Sequence, residues 1–346
     1  MIISSMRIAA KLLFHGALAV VNRRSYRFPL AIYVYLSFRC NLNCEYCDSG
    51  DGRSFPTRPY DELTVEQWRK LLPLLRRWSD VLLISGGEPL VHADPLGFLR
   101  VARESGFAFI SLNTNGILLT PELVDAADAI IVSLDSLDRE ASDRLWNRTG
   151  ATETVLSRLE ELRHRDHPTV MVNCVVLPGR VAEAEAVLDY CLARGLTFSL
   201  APGVRNRRPM PGLADDPAYH KLLDRLILEK RCGRRIAGTV AFLRGIKTFR
   251  RYQCHPQLVW RIRPNGDLVY PCSRCDSVIG NLLSVPEPIR LLHAAAGGEF
   301  YDPGCGEACP LSCYMDTSLV VTRPMELVRE GFYRLRSFPA GHRVMF

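Results

Sequence analysis

Three cysteines near the N-terminus have a spacing that could support metal chemistry. Cys40, Cys44 and Cys47 form a CxxxCxxC sequence directly after an apolar stretch at 32–36. Three thiolates this close together can bind three corners of a cubic iron–sulfur cluster, which leaves the fourth iron open to other ligands. A structural zinc site would normally take four ligands, and the neighbouring residues supply no obvious fourth. A disulfide would need an oxidising compartment and would leave one thiol over, so the spacing favours the open cluster.

A second set of cysteines follows residue 250. Cys254 and Cys272 flank a predicted hairpin, in which Asn265-Gly266 forms the turn between two runs rich in apolar residues at 258–263 and 268–270. Because the two ends of a hairpin lie side by side, these two thiols should converge. The whole set consists of Cys254, Cys272, Cys275, Cys305, Cys309 and Cys313.

The size of this set limits what it can bind. Two fully ligated clusters need about seven or eight cysteines, whereas one needs about four. The sequence therefore predicts one further cluster, held by the two hairpin cysteines and two of Cys305, Cys309 and Cys313. Cys309 and Cys313 are the preferred pair because their i, i+4 spacing would place both on one face of a helical turn. Zinc at the same place is the alternative.

Alternating strands and helices must position these cysteines. Strands are predicted near 32–38, 81–85, 107–112, 129–134, 169–177 and 197–201, with helices near 64–77, 94–105, 121–127, 152–165 and 181–194, and a further helix near 285–296. Repeated β-α units of this kind imply a parallel sheet in an α/β fold. A chain of 346 residues with 47% hydrophobic residues is long enough for one such domain and a small appendage.

The cysteine loop resembles that of the radical S-adenosylmethionine (SAM) enzymes. Tyr46 occupies the aromatic position before the third cysteine, and Gly86-Gly87-Glu88-Pro89 follows the second predicted strand like the GGEP turn of that family. Glycines in such a turn allow positive φ and a close approach to a ligand. The resemblance implies a partial (β/α)6 TIM-like barrel that binds a [4Fe–4S] cluster and SAM. It also implies reductive cleavage of SAM to a 5′-deoxyadenosyl radical, which removes a hydrogen atom from the substrate.

Further residues match the SAM-binding positions of the family one at a time. Asn115 lies in a turn like the family's TNG turn, or in an ordinary Asn-Gly turn. Ser133 ends the fourth strand, where the family often has a ribose-binding serine. Arg148 resembles the arginine that pairs with the SAM carboxylate, or is a solvated charge at a helix end. Asn173 in the fifth strand, and Leu200-Ala201-Pro202 after the sixth, fit ribose and adenine contacts.

The C-terminal region resembles the SPASM/twitch auxiliary domain of the same enzymes. It has the same order of cysteine, hairpin, cysteine, helix and cysteine cluster, and Gly280-Asn281-Leu282 follows the hairpin. The resemblance implies a small C-terminal hairpin-helix domain with one auxiliary [4Fe–4S] cluster. Cys275 is left over from the ligand count and is a candidate hydrogen donor to a substrate radical.

These observations divide the chain into five segments. They are an N-terminal amphipathic capping helix at 1–27, the partial barrel at 28–215, a basic helical linker at 216–250, the auxiliary-cluster domain at 251–320 and a C-terminal tail at 321–346. Lys11 and His15 interrupt the apolar N-terminal run, which is shorter than a membrane-spanning helix. A cap is therefore favoured over an interfacial membrane contact. Because no clear signal-peptide pattern is present, a reduced cytoplasm is expected.

Positive charge is concentrated in one part of the chain. The formal net charge is +7, and basic residues cluster at 205–208 and between Arg231 and Arg251. This region is either a solvated basic face or a surface that attracts an anionic substrate. No recognised nucleic-acid motif accompanies it, so nucleic acid is not an expected partner.

Together these features predict an enzyme that acts on a small, anionic or polyhydroxylated metabolite, in a dehydrogenation or an epimerisation. A reducing partner such as flavodoxin or ferredoxin is expected to supply electrons. Modification of a ribosomally made peptide or of a lipid is the alternative, although no peptide-recognition extension is apparent before the barrel. A metal-binding protein without catalysis would have no need of the GGEP turn.

Overall fold

The computed structural model describes residues 10, 11, 13–18, 28–48, 55, 61–165, 167–205, 208–272, 277–295 and 309–337. These residues form a nine-stranded sheet covered by helices, with a short two-stranded hairpin beside it, β7 (Val204–Arg205) and β8 (Arg208–Pro209). The predicted α/β class is confirmed.

Six parallel strands form the main part of the sheet and follow one another in sequence order. They are β1 (Ala31–Ser37), β2 (Val81–Gly86), β3 (Phe109–Thr114), β4 (Ala129–Ser133), β5 (Thr169–Val176) and β6 (Thr197–Pro202). Parallel neighbours need a crossover connection, usually a helix, and helices are found in these connections. The described sheet ends at β6 on one side and does not close, as expected for a partial barrel.

The helices of the barrel lie where the sequence predicts them, and one further helix is present. Those of the barrel are α1 (Val65–Arg76), α2 (Pro95–Glu104), α3 (Pro121–Asp125), α4 (Arg139–Trp146), α5 (Ala151–Leu162) and α6 (Val181–Arg194). The sequence did not predict α4, which is short and mostly polar. It is stabilised by the carboxylate of Asp138, which accepts a hydrogen bond from Ala141 N at its first turn.

Alternate residues of each strand point to opposite faces of the sheet. On the outer face, Ile32, Leu82 and Ile110 are fully buried beneath the helices, where they belong to one large core cluster with Trp68 and Phe98. The inner face carries a mixture of apolar and hydroxyl or amide side chains and borders a cavity. The outer face thus provides the core, and the inner face is available for binding.

The segment after the barrel contains α7 (Pro217–Arg231) and α8 (Val240–Lys247), and the sheet then continues with β9 (Val259–Ile262), β10 (Asp267–Val269) and β11 (Val278–Asn281). The hairpin of β9 and β10 turns at Gly266, which has φ +84, and confirms the sequence prediction. The sequence did not reveal that β9 pairs in parallel with β1 and so extends the barrel sheet.

Three helices follow the last strand: α9 (Pro288–Ala295), α10 (Ser312–Thr322) and α11 (Pro324–Ser337). The helix α10 covers the open side of the cavity. The helix α11 was not predicted within the C-terminal tail. A buried ion pair between Lys230 Nζ and Glu330, 2.8 Å long, links it to α7.

The N-terminal residues 13–18 are helical and lie at the N-terminal ends of β1 and β2. Lys11 Nζ donates to the carbonyl oxygens of Pro29 and Trp78, which directly precede these strands. The imidazole of His15 is buried and lies 2.9 Å from the carbonyl oxygen of Phe28. Among the described residues, no helix has the length and apolar character needed to cross a membrane.

Candidate active site

The loop that carries Cys40, Cys44 and Cys47 follows β1 and is fixed to α4 by backbone hydrogen bonds. Asn43 N donates to Trp146 O at 3.2 Å, and Glu45 N donates to Leu145 O at 3.0 Å. The helix that the sequence did not predict therefore supports the predicted metal-binding loop.

The three thiols of this loop fit a cluster with an open iron. All three are free and partly exposed. Burial raises the pKa of the Cys40 thiol to about 11, and burial likewise raises the pKa values of Cys44 and Cys47. Bound iron would lower the pKa values of these thiols, because a thiol that coordinates a metal is deprotonated. No group of three or more His, Cys, Asp or Glu within the described ranges could hold a single metal ion. A cubic cluster does not require such a group, because each of its thiolates binds a different iron.

The aromatic side chain before the third cysteine is held by a buried carboxylate. The hydroxyl of Tyr46 and Trp146 Nε1 both donate to Asp135 Oδ2, the latter at 2.9 Å, and Val175 N donates to Asp135 Oδ1 at 2.8 Å. Burial raises the pKa of Asp135. This carboxylate joins the cysteine loop, the end of α4 and β5. The sequence analysis did not single it out.

The turn at Gly86 and Gly87 has room for no side chain. A Cβ on Gly86 would lie 2.0 Å from the carbonyl oxygen of Ser37, and Gly86 has φ +151. A Cβ on Gly87 would lie 2.5 Å from the carbonyl oxygens of both Phe38 and Arg39. This close approach allows Gly87 N to donate a hydrogen bond to Ser37 O at 2.9 Å. The glycines therefore let the turn after β2 pack directly against the start of the cysteine loop.

The glutamate of this turn is buried and connects it to the turn after β3. Glu88 Oε1 accepts hydrogen bonds from Leu90 N and Thr114 Oγ1, and Oε2 accepts one from Asn115 N. Burial raises the pKa of Glu88 to about 7, although these three donors favour the ionised form. The side chain of Glu88 thus holds the GGEP and TNG-like turns together, and Pro89 begins the one-turn helix that follows.

A cavity of about 450 Å³ lies between the inner face of the sheet and α10. Four of the predicted site residues border it: Gly86, Ser133, Asn173 and Cys313. Asp48, next to the last cysteine of the loop, borders it as well, so the cavity reaches the cysteine loop.

Two predicted cofactor contacts lie beside the loop rather than at the cavity. Asn115 Nδ2 donates to Asn41 Oδ1 at 2.7 Å, and Arg148 Nη1 donates to Asn41 O at 2.8 Å. Both side chains hold the segment between Cys40 and Cys44. A direct contact with SAM stays a prediction for each.

The prediction for Leu200 was wrong in its register. Leu200 is buried in the core between the sheet and the helices, whereas Ser199 and Ala201 border the cavity. Because side chains alternate along a strand, an error of one residue moves a side chain to the other face. Ala201, the next residue of the predicted run Leu200-Ala201-Pro202, lies on the cavity side of β6.

Besides Asp48, two charged residues at the cavity were missed by the sequence analysis. The guanidinium of Arg261 on β9 lies in the cavity wall, 4.4 Å above the ring of Tyr33, and is only 4% exposed with the rest of its side chain. It donates to the hydroxyls of Tyr314 and Tyr35 and to Cys313 Sγ. Among the described residues it has no carboxylate partner. The sequence around Arg261 predicts a strand, but it does not show that this strand pairs with β1 and so brings Arg261 to the cavity.

The second is Asp316, on the face of α10 that borders the cavity. Its carboxylate accepts hydrogen bonds from Thr239 Oγ1 at 2.6 Å and from Thr239 N. Burial raises the pKa of Asp316 to about 6. A carboxyl group with such a pKa can accept a proton near neutral pH.

Three of the C-terminal cysteines gather beside Arg261, which donates to Cys313 Sγ. Cys254, Cys272 and Cys313 pack in one small apolar cluster with Leu258 and Tyr314, so the expected convergence of the hairpin cysteines is found. Burial, followed by the nearby Cys309, Cys254 and Cys313, raises the pKa of Tyr252. The predicted helical turn is wrong, because α10 begins at Ser312, after Cys309. Cys275 and Cys305 lie outside the described residues.

Comparison with known proteins settles the family. Residues 34–191, which contain the cysteine loop, the GGEP turn and the first five strands, match the model of the Radical SAM superfamily. Residues 34–191 form a radical SAM domain. Its cofactors are those of the superfamily, a [4Fe–4S] cluster and SAM.

Curated relatives of this radical SAM protein differ in what they are named for. An AdoMet-dependent heme synthase of Methanosarcina barkeri is 34% identical over 146 residues, which are 40% of this chain and 41% of the relative. A GTP 3′,8-cyclase of Thermodesulfovibrio yellowstonii is 33% identical over 147 residues, 41% of this chain and 45% of the relative. The chain spans about half the length of the curated relatives it matches.

Solved structures support the fold over a longer range. Streptococcus suis SuiB, in a crystal structure bound to S-adenosylmethionine, has a TM-score of 0.61 at 18% identity. The superposition covers 92% of this chain and 78% of SuiB. This radical SAM protein therefore shares its fold with SuiB both within and beyond the barrel.

Proposed function

We propose that this protein cleaves SAM reductively and dehydrogenates a small anionic metabolite bound in the cavity. When bound, the cluster and SAM would supply a 5′-deoxyadenosyl radical that removes a hydrogen atom from the substrate. Cys40, Cys44 and Cys47 are the proposed ligands of the cluster. The two glycines of the GGEP turn would let the backbone approach SAM, and Ser133, Asn173 and Ala201 would border its nucleoside.

The observation that carries the proposal for the substrate is the environment of Arg261. A buried charge without a partner is costly, and this guanidinium lies in the cavity wall without a carboxylate among its described partners. A Cys313 thiolate bound to a cluster would supply one negative charge to the guanidinium, and a carboxylate or phosphate of the substrate would supply a further one from the cavity. Hydroxyl and amide groups at the inner face, from Ser85, Ser111 and Asn113, suit a polar substrate.

The proton balance of a dehydrogenation requires a base, and Asp316 is placed to serve as one. Loss of a hydrogen atom leaves a substrate radical, which must lose one proton and one further electron to become the oxidised product. Asp316 would take the proton from a hydroxyl or amine next to the radical centre. The electron would pass to an auxiliary [4Fe–4S] cluster, for which Cys254, Cys272, Cys309 and Cys313 are the proposed ligands, with Cys305 as the alternative for one of them.

The test is the mass of the product. The reconstituted protein is incubated anaerobically in deuterium oxide with SAM, dithionite and pools of small carboxylates and phosphate esters. We expect a product that has lost two hydrogen atoms and that carries no solvent deuterium at carbon. A product that differs from the substrate only by one deuterium in place of a hydrogen at carbon would indicate epimerisation instead. In that case Cys275→Ala should abolish deuterium incorporation and retain SAM cleavage.

Replacement of Asp316 by asparagine should lower product formation by about 10²–10⁴-fold, since general base catalysis contributes about this much. In the wild type, product formation should fall as the pH decreases through about 6, because Asp316 is a base only when it is ionised. The variant should lack this acid limb, while uncoupled cleavage of SAM continues. Asp125→Asn, a change at an exposed acid far from the cavity, is the matched control. An unchanged acid limb in Asp316→Asn would contradict the assignment.

A further inference from the structure

A second concave surface lies on the outer side of α10. This basic groove has a volume of about 860 Å³ and is bordered by α7, α8, residues 250–253 and α10. Its basic side chains are Arg231, Arg244, Lys247, Arg250, Arg251 and Arg323, and Asp224 is its one acidic side chain within the described part of the chain.

The charges of the basic groove are not balanced by the residues that the structure describes. Asp224 is bound to Lys247, with N–O distances of 2.6 and 2.7 Å. The other five basic side chains are exposed arginines, and none of them forms an ion pair with a described residue. A concave surface lined by unpaired arginines produces a positive potential that attracts an acidic partner and speeds its association.

The helix α10 separates the basic groove from the cavity. Cys313, Asp316 and Val320 on one face border the cavity, and Met315, Leu319 and Thr322 on the other border the groove. The groove is therefore not an entrance for the substrate. The sequence-based interpretation that this basic region attracts the substrate does not fit this geometry.

The basic groove is instead adjacent to the C-terminal cysteines. Tyr252 and Gln253, which border it, directly precede Cys254. Met315, at its floor, is two residues beyond Cys313 on α10. Tyr252 also lies beside Cys309. Tyr252, which borders the groove and lies beside Cys309, would connect a partner in the groove with the proposed auxiliary cluster.

We propose that the basic groove is the docking site of an acidic one-electron carrier protein, which reduces the enzyme through the auxiliary cysteines. This inference rests on the proposed function, in which cleavage of SAM consumes one electron and the substrate radical returns one to the auxiliary cluster. The reduced carrier loses one electron to the enzyme before SAM is cleaved, and the oxidised carrier regains the returned electron, so that each turnover balances. Docking on the outer side of α10 leaves the cavity free, so carrier and substrate can bind at the same time.

The test uses the full chain and an acidic flavodoxin. The variant Arg244→Glu/Arg250→Glu/Arg251→Glu should bind reduced flavodoxin on the order of tenfold or more weakly than the wild type. Higher ionic strength should weaken wild-type binding and have less effect on the variant. Arg100→Glu, a change at an exposed arginine on α2, should bind as the wild type does. Cleavage of SAM should slow in the triple variant when flavodoxin supplies electrons and should be unchanged with dithionite.

The outcomes separate the docking site from the enzyme activity. Equal flavodoxin affinity of the wild type and the triple variant, or no saturable binding by the wild type, would overturn the docking site. The docking site would also be rejected if the triple variant lost binding to vesicles of anionic phospholipid but kept flavodoxin-driven turnover. The groove would then bind a membrane surface and not the carrier. Failure of the wild type to cleave SAM with dithionite would reject the proposed function, whereas the affinity comparison would still decide the docking site.

Discussion

Replacement of Cys40, Cys44 and Cys47 together by alanine should reduce the iron content from about eight to about four atoms per chain and abolish SAM cleavage. The three thiols lie in one short loop that is fixed to α4, and together they are the proposed ligands of one cluster. Without them SAM has no iron to bind. The remaining iron should belong to the proposed auxiliary site of Cys254, Cys272, Cys309 and Cys313. Anaerobic reconstitution followed by iron analysis gives the measurement.

The exposed Cys232 provides a matched control, because it lies at the end of α7 and is not a proposed ligand. Cys232→Ala should retain the full iron content and the activity. An iron content of about four in the wild type, with zinc in the remaining site, would contradict the auxiliary cluster. Full iron retention in the triple variant would contradict the assignment of the loop.

Gly86→Ala should destabilise the protein by about 1–3 kcal/mol or more and should weaken SAM binding at least in proportion. The added methyl group would lie 2.0 Å from the carbonyl oxygen of Ser37, which is held in β1 and cannot move away freely. The backbone conformation, with φ +151, is also unfavourable for alanine. Thermal unfolding and equilibrium binding of SAM to the reconstituted protein measure the two effects.

Gly331 offers the same substitution without the contact. A Cβ at this position in α11 meets no atom within 4 Å, and the position is helical. Gly331→Ala should therefore stabilise the protein by about 0.5–1 kcal/mol and leave SAM binding unchanged. Similar destabilisation by both substitutions would show that the close approach at Gly86 is not the cause.

The barrel could be predicted from the sequence because its signals are local. Each strand is a short apolar run, each helix follows it with its own periodicity, and the parallel order then follows from the repeated connection. The loop of Cys40, Cys44 and Cys47 and the GGEP turn were found for the same reason. Their residue types and spacing are visible within a few positions.

The parts that the sequence did not reveal depend on contacts between distant segments. Arg261 faces the cavity because β9 pairs with β1, more than 200 residues earlier in the chain. Asp316 faces it because α10 covers the open side of the barrel. Asp135, which follows β4 in a distant part of the chain, supports Tyr46. The error at Leu200 is of a different kind, since period-two alternation in a short strand requires an exact starting residue.

The formation of 5′-deoxyadenosine shows most directly whether the protein cleaves SAM reductively. The anaerobically reconstituted wild type is incubated with SAM and dithionite, and the nucleoside is quantified by mass spectrometry. 5′-Deoxyadenosine should form in wild-type samples and should be absent with the triple variant of Cys40, Cys44 and Cys47. A wild type with its full iron content and bound SAM that forms no 5′-deoxyadenosine would contradict reductive cleavage of SAM.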